Sequence, residues 1–513
     1  MNKDIIIGVD AGTSLIKAVA FTLDGKELAV SSKLNTYKTS SDGGATQSLD
    51  ITWKNCVNVI KDLHNKIHSL KERVISISIT GQGDGTWLID KEGNPVCDAW
   101  LWLDSRSSQI AKKLSESDTE DQRFFSTGTG IFAGQQSSQI LYMENKYSDL
   151  LNKSETAFHC KDWLYFKLTG TIATDPSEAC FTFGDFRTKK YNNEVINNLG
   201  LQKRKSLFPE IIDGSKHSHS LNNVAATQLD LYSGTPVSLA YIDAVCTFLG
   251  SGGYNVNKNL GSSIIGTTCG HMKASLISNI SPNMKLKSGY IMLLPIEKFA
   301  LQFQTNMSGT LNLDWLRFLV EDIFLDFNIK LNENDFMKKI DTWVSQAKPG
   351  KLVYHPFISE AGERGPFINS KARASILGLR SNNRFPEIVR SFVEGLCFAA
   401  KECYSAMGDT PSEIILSGGG SKSEMLLRIF SSVLKIPVRT TSTREAGACG
   451  AAMIGAMSQE IYNDWNDCLI EWTEPNLGQL LNYDQSLSEI YDNIYRLYLN
   501  TKSNIEDNWE DMK

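Results

Sequence analysis

Ile5-Ile6-Ile7-Gly8-Val9-Asp10-Ala11-Gly12-Thr13-Ser14-Leu15-Ile16-Lys17 is an apolar run, a turn of small residues and the start of a second apolar run. Ile5 to Val9 predicts a buried strand and Ile16 to Phe21 a second one, with a tight turn between them. Consecutive backbone N–H groups and the hydroxyls of Thr13 and Ser14 in such a turn suit phosphate oxygens. Gly12 lets the backbone approach them closely. Asp10, at the end of the first strand, is placed to hold Mg²⁺ directly or through water, and Lys17 adds a cation. Taken alone, the same run serves equally well as a plain hairpin turn.

The pattern returns half a chain later. Ser263-Ile264-Ile265-Gly266-Thr267-Thr268-Cys269-Gly270 leads into His271 to Leu276, so Gly266, Thr267 and Thr268 repeat the phosphate chemistry of the first turn. Two such units predict related lobes facing each other across a cleft. Between them strands alternate with amphipathic helices, the mark of α/β architecture. Val74 to Thr80, Val237 to Ala240 and Glu413 to Ser417 read as strands, and Trp53 to His68 and Glu424 to Leu434 as helices. The expected division is an N-terminal lobe over 1–250, a C-terminal lobe over 251–490 and a tail over 491–513. Gly250-Ser251-Gly252-Gly253 is the candidate hinge, and the acidic segment beyond Thr501 is expected to fray.

A chain of 513 residues is too long for one hydrophobic core. Its 41% hydrophobic and 21% charged content is that of a globular protein. A net charge of −6, with no basic run longer than Lys203-Arg204-Lys205, argues against a nucleic-acid partner. The N-terminus lacks the pattern of a secretory signal, and apolar stretches such as Ile291 to Ile296 are too short to cross a bilayer. A cytoplasmic protein without a membrane partner is expected. The ten cysteines are scattered singly, which suits reduced buried thiols. The seven histidines show no ligand spacing for a structural metal.

Three further segments carry candidate chemistry. Ser417-Gly418-Gly419-Gly420-Ser421-Lys422-Ser423 joins a strand to a helix, and three glycines there favour nucleotide contact with bare backbone at a helix N-terminus. Gly81-Gln82-Gly83-Asp84-Gly85 lacks the third glycine and the following helix of a dinucleotide fingerprint. It reads instead as a loop placing Gln82 and Asp84 against hydroxyl groups. Trp100-Leu101-Trp102-Leu103-Asp104-Ser105-Arg106 adds another carboxylate, Asp104, and two tryptophans that suit either core or pocket. Asp243 follows an apolar strand and precedes a helix, on the usual ligand side of an α/β sheet. It suits either a base that accepts a hydroxyl proton in phosphoryl transfer or a helix cap, and spacing does not separate the two.

In this order, and over nearly the whole chain, the motifs resemble those of the FGGY carbohydrate kinases, the group containing glycerol, xylulose and ribulose kinases. The resemblance implies two ribonuclease-H-like lobes of the actin and Hsp70 kind, with ATP and sugar in the cleft. It implies a first phosphate motif at Asp10, Gly12, Thr13 and Ser14, a second at Gly266, Thr267 and Thr268, and a nucleotide contact at Ser308-Gly309-Thr310. Gly418, Gly419, Gly420 and Ser423 match its adenosine-side motif, and Asp243 its catalytic base. Gly365 and Arg373, in Glu363-Arg364-Gly365-Pro366 and Lys371-Ala372-Arg373-Ala374, fall in a segment for which a structural role is implied. Glycerol kinases carry Arg-Glu where this chain has Gly83-Asp84. The loop Gly81 to Asp90, with Trp102 and Asp104, is most similar to the erythritol-phosphorylating branch. A terminal hydroxyl of a small polyol is thus the expected acceptor, and a homodimer is in keeping with the family. A ketopentose kinase is the alternative within the family. An actin- or Hsp70-like ATPase module is the alternative outside it, although such a module has no need of the loop from Gln82 to Asp84.

Overall fold

The computed structural model describes residues 3–512 and contains two six-stranded sheets. In the first, Ile5–Ala11 pairs antiparallel with Leu15–Phe21, which pairs antiparallel with Glu27–Leu34. On its other side Ile5–Ala11 runs parallel to Val74–Gly81, and that strand runs parallel to Pro236–Leu239. The second sheet repeats this plan. Leu260–Ile265 pairs antiparallel with Cys269–Leu276, and that strand with Phe299–Asn306. Leu260–Ile265 also runs parallel to Glu413–Ser417, which runs parallel to Val438–Thr440. Each lobe is thus a meander extended by parallel strands, and each phosphate-type turn joins the first two strands of its sheet.

Local signals set most element ends. Ser48 accepts a hydrogen bond from the Ile51 N–H, so the first long helix starts at Leu49 rather than at Trp53, and it ends at Leu63. Trp53, Cys56, Val59, Ile60 and Leu63 line its buried face, at the spacing of one helical stripe. Ile5, Ile7 and Val9 enter the core beneath that helix, whereas Ile6 points into a second core between the lobes, the two-residue alternation of a strand.

The lobes are bound together by a helix pair. Ala446–Ser458 follows the last strand of the C-terminal sheet yet packs on Ile5–Ala11, Val74–Gly81 and the helix Asp243–Gly250. Small residues make this possible. A Cβ at Gly450 would lie 1.9 Å from the Cys246 carbonyl oxygen, and one at Gly250 would lie 2.1 Å from that of Ala446. Gly250 is therefore a close-packing residue, and within the candidate hinge only Gly252 takes a left-handed backbone, at φ +83°.

The C-terminal segment departs from expectation. Helix Gln485–Glu506 runs across position 490 and packs on helix Glu424–Leu434. Beyond it Trp509 is buried, its ring stacked on Phe367 at 5.8 Å and set edge-on to Phe357 at 5.6 Å. One aromatic anchor holds a segment whose acidic composition suggested fraying. Among the described residues no helix is long and apolar enough to cross a membrane.

Candidate active site

Asp10 and Asp243 stand at the ends of parallel strands of the first sheet. The Asp10 carboxyl accepts no hydrogen bond among the described residues. The start of helix Ala446–Ser458 presses against it, so that a Cβ at Gly447 would lie 2.4 Å from Asp10 Oδ2. Burial raises Asp10 to about 6, with Lys17 opposing and Glu445 reinforcing the shift. Lys17 does not reach the turn as a free cation, because its Nζ lies 2.6 Å from Glu445 Oε2 in an ion pair joining the two lobes. Asp243 is the first residue of its helix, the cap position being taken by Ile242, and its Oδ1 accepts from the Ala244 N–H at 2.7 Å. Burial, then the nearby Asp10 carboxylate, push Asp243 up to about 8; the Ala244 N–H works against them.

On the other lobe Thr267 and Thr268 are exposed. Gly309 N–H donates to the Thr267 carbonyl and Thr310 N–H to that of Gly266, both at 2.7 Å. Gly309 fits beneath this turn because it has no side chain, since a Cβ there would sit 2.3 Å from the Gly266 carbonyl oxygen. The three glycines after Ser417 divide by role. Gly418, at φ +86°, and Gly420 are pressed against Ile265, whereas Gly419 faces open space. Gly418 and Gly419 are exposed and offer backbone to a ligand, whereas Gly420 is buried. Ser423, expected at the nucleotide, is a helix cap instead. Its hydroxyl accepts from Leu426 N–H at 3.0 Å and donates to Asp341, which uses the hydroxyl within the protein.

The substrate-type loop joins several of the predicted residues. Thr13 Oγ1 donates to Gln82 Oε1 at 2.7 Å and accepts from Trp102 Nε1 at 3.0 Å. Gln82 Nε2 donates to Gln47 Oε1 at 2.8 Å. The Thr13 hydroxyl therefore ties the first turn to Gln82 and Trp102, leaving its backbone and Ser14 toward solvent. Asp84, at φ +53°, donates its N–H to Glu178 Oε1 at 2.8 Å, and its Oδ2 accepts from Tyr290 of the other lobe at 3.3 Å. Its Oδ1 is buried without a partner. Burial and Glu178 raise Asp84 to about 8, against His159, Tyr290 and Arg364. Gly83 has no room for a side chain, as a Cβ would meet Ile242 Cδ1 at 2.0 Å and Glu178 Oε1 at 3.0 Å.

Asp104 has a different role from the expected one. Its oxygens accept from Ala45 N–H at 2.8 Å, from Arg106 N–H at 3.1 Å and from the Arg106 guanidinium at 2.6 Å. That carboxylate is used up in holding its own loop. Arg106 also covers the ring of Trp100 at 3.5 Å, so Trp100 belongs to the core while Trp102 belongs to the site.

Beneath the loop lies a buried charged cluster that sequence reading missed. Lys161 Nζ is 2.9 Å from Asp162, 2.8 Å from Asp175 and 3.1 Å from Glu178. His159 Nδ1 lies 3.1 Å from Asp162, while its Nε2 is buried without a partner. Burial opposes ionisation of Asp162, but Lys161 and His159 hold it down to about 2. Ligand atoms of His159, Asp162 and Glu178 lie within 4.8 Å of one another, and the Lys161 ammonium already supplies positive charge there. Glu178 carries the Asp84 backbone. Ser177 Oγ accepts from Ile242 N–H at 3.2 Å and donates to Asp175. The cluster thus supports both the Asp84 loop and the strand end before Asp243. The available signal was a Lys-Asp pair in the first turn of the helix Cys160–Thr169, next to the apolar run Trp163 to Phe166.

Two copies of one sheet plan, phosphate-type turns at the head of each and two acids on parallel strand ends define a two-lobed phosphotransferase of the actin–Hsp70 fold. The N-terminal domain of the FGGY family of carbohydrate kinases matches residues 5–250, and the C-terminal domain of that family matches residues 261–459. The chain belongs to this family, whose members use ATP as phosphoryl donor to an alcohol group. It is 45% identical over 507 residues to an erythritol kinase of Brucella abortus (strain 2308), covering 99% of this chain and 97% of that one. A xylulose kinase of Staphylococcus xylosus is 26% identical over 473 residues, 91% of this chain and 93% of its own. Among solved structures, a ligand-bound xylulose kinase from Lactobacillus acidophilus shares the fold at a TM-score of 0.89 and 19% identity, over 100% of both chains. A Plasmodium falciparum glycerol kinase with ADP does so at 0.82 and 16%, over 98% of both.

Proposed function

We propose that the chain transfers the terminal phosphoryl group of ATP to a terminal hydroxyl of a small alditol, with erythritol as the acceptor. The observation that carries the choice of acceptor is Gly83. Ile242 and Glu178 leave no room for a side chain at Gly83, where glycerol kinases carry an arginine, so the loop offers Gln82 and Asp84 as its polar groups. The erythritol kinase relative, matched almost end to end, supports the same reading. Asp243 serves as the base that accepts the hydroxyl proton. A carboxyl raised to about 8 is matched to proton transfer near neutral pH. Gly12 and Ser14 of the first turn, Thr267 and Thr268 of the second, and the open backbone at Gly419 form the nucleotide side. The unpaired Asp10 carboxyl suits a hard divalent cation. Mg²⁺ held there would neutralise phosphate charge.

The lobes are taken as 1–250 and 251 onward, the helix Gln485–Glu506 belonging with the second, and they are joined at the small-residue helix pair. Their closure excludes water from the transferring phosphoryl group. The test is ADP release measured across tetritols, pentitols and ketopentoses. Erythritol is expected to give the highest kcat/KM. A higher value for a xylulose or ribulose isomer would overturn the acceptor assignment. ADP release that no acceptor stimulates would point to an ATPase module instead.

A further inference from the structure

The acceptor pocket described so far is built almost wholly from the N-terminal lobe, yet a cation from the other lobe enters it. We propose that Arg364 is a substrate-side residue, donated by the C-terminal lobe, whose guanidinium binds a hydroxyl of the acceptor when the lobes are closed. The proposal rests on the reading of the chain as a polyol kinase and adds a specificity-determining residue to it.

The backbone of Arg364 is fixed on its own lobe. Glu363 Oε1 accepts from Met307 N–H at 2.8 Å and from Arg364 N–H at 2.9 Å. Asn306 Nδ2 donates to the Gly365 carbonyl at 2.7 Å. Gly365 lies flat on strand Phe299–Asn306, where a Cβ would meet the Thr305 carbonyl oxygen at 2.6 Å. From this rigid base the side chain leaves its lobe. Its guanidinium carbon lies 4.6 Å from the ring centre of Phe132 and 5.9 Å from that of Trp102, both residues of the N-terminal lobe. The lobes also meet here through Tyr290 to Asp84 at 3.3 Å and Gly130 N–H to the Gly289 carbonyl at 3.0 Å.

What marks Arg364 as more than a latch is its unused hydrogen-bonding capacity. A guanidinium carries five N–H donors, and among the described residues no protein group accepts from this one and no carboxylate pairs with it. The same pocket holds the opposite deficit, because Asp84 Oδ1 is buried and accepts nothing. Arg364 is close enough to Asp84 for its charge to favour the ionised carboxylate. A hydroxyl both donates and accepts, so a polyol set against the Trp102 wall can satisfy donor and acceptor together. The pair therefore suits a hydroxyl of the acceptor, and the site is complete only with both lobes in place.

The test compares Arg364→Met with Arg364→Lys in the full-length enzyme, using whichever acceptor gives the wild type its highest kcat/KM. Failure of the erythritol assignment thus shows in the wild type alone and leaves this test readable. Arg364→Met is expected to raise the acceptor KM about tenfold or more, the loss due to a hydrogen bond from a charged group. The ATP KM should stay within about twofold by the same conversion. Arg364→Lys, which keeps the charge but not the fork, should show a smaller rise, and it carries the test if the Met variant does not fold. An acceptor KM within twofold of wild type in both Arg364 variants overturns the proposal. So does a parallel rise in both KM values, since that result describes a lobe latch.

Discussion

Replacing Asp243 by asparagine should stop turnover and stabilise the fold, and the size of the second effect follows from the site. Burial and the Asp10 carboxylate raise Asp243 from 3.8 to about 8. The folded chain therefore holds a proton between roughly pH 4 and pH 8 that the unfolded chain has released. Stability falls with rising pH wherever the folded state binds more protons. Asp243 thus subtracts nothing below about pH 4 and subtracts its full amount above about pH 8. At pH 7 the upper limit is about 4 kcal/mol, from 1.36 kcal/mol per unit. Asp243 is half-buried, so about 1–3 kcal/mol is the expected share. Asparagine keeps the oxygen that accepts from Ala244 N–H at 2.7 Å and carries no charge toward Asp10.

The assay is a set of denaturation midpoints for wild type and Asp243→Asn from pH 5.5 to pH 8.5, without nucleotide or divalent cation. The variant should be the more stable, with a gap that widens as pH rises. Turnover should drop by about 10²–10⁴, the usual contribution of a general base, with the ATP KM unchanged. In the wild type, kcat/KM should fall as pH drops below about 8, because the base must be unprotonated. A variant less stable than wild type throughout, or a gap that does not vary with pH, refutes the protonated buried carboxyl. Near-normal turnover refutes its role as base.

Gly83→Ala drives a methyl group into Ile242, whose Cδ1 lies 2.0 Å from the new Cβ. About 1–3 kcal/mol of overpacking is expected, with a raised acceptor KM, and Ile242→Val should restore part of both in the double variant; no recovery means the clash lies elsewhere. Lys161→Met leaves Asp162, Asp175 and Glu178 buried without their shared cation, and a loss of about 3–5 kcal/mol in urea unfolding is expected; a loss below about 1 kcal/mol would show that the cluster is neutralised by other means. Ser423→Ala should cost about 1 kcal/mol as a lost cap and leave the ATP KM within about twofold; a large rise in that KM would return Ser423 to the nucleotide site.

The elements that sequence reading placed well are those whose information is local. Strand Glu413–Ser417 and helix Glu424–Leu434 stand at their expected bounds, because the Ser423 cap and the left-handed Lys435 are adjacent in sequence to the ends they set. The two strand–turn–strand units were visible for the same reason. Asp104 was misread despite a local partner. Arg106, two residues on, folds back onto its carboxylate, but an acid beside two tryptophans in sequence looks the same whether or not its oxygens are free. Lys161 and Glu178 were out of reach because their pairing needs two helices to be docked, and Arg364 because its ring partners belong to the other lobe. The Lys17–Glu445 ion pair had no sequence signal for a similar reason, since its partners stand at opposite ends of the chain.

That last distance has a mechanical consequence. Helix Ala446–Ser458 belongs by sequence to the C-terminal lobe and by packing to the N-terminal sheet. At Gly8, Gly250 and Gly450 backbone lies directly on backbone, with added Cβ atoms only 1.9–2.1 Å from carbonyl oxygens, so this contact cannot slide without opening a gap in close-packed interior. Asp243 begins one helix of the pair, and Asp10 rests against the start of the other. Movement between the lobes must then turn about the pair rather than through it. Such a movement keeps the two acids at a fixed spacing while it carries Thr267, Gly419 and Arg364 toward or away from them. The proposed base and the candidate cation ligand are thus preorganised by one rigid contact, and the proposed phosphate-binding groups and Arg364 lie together on the other side.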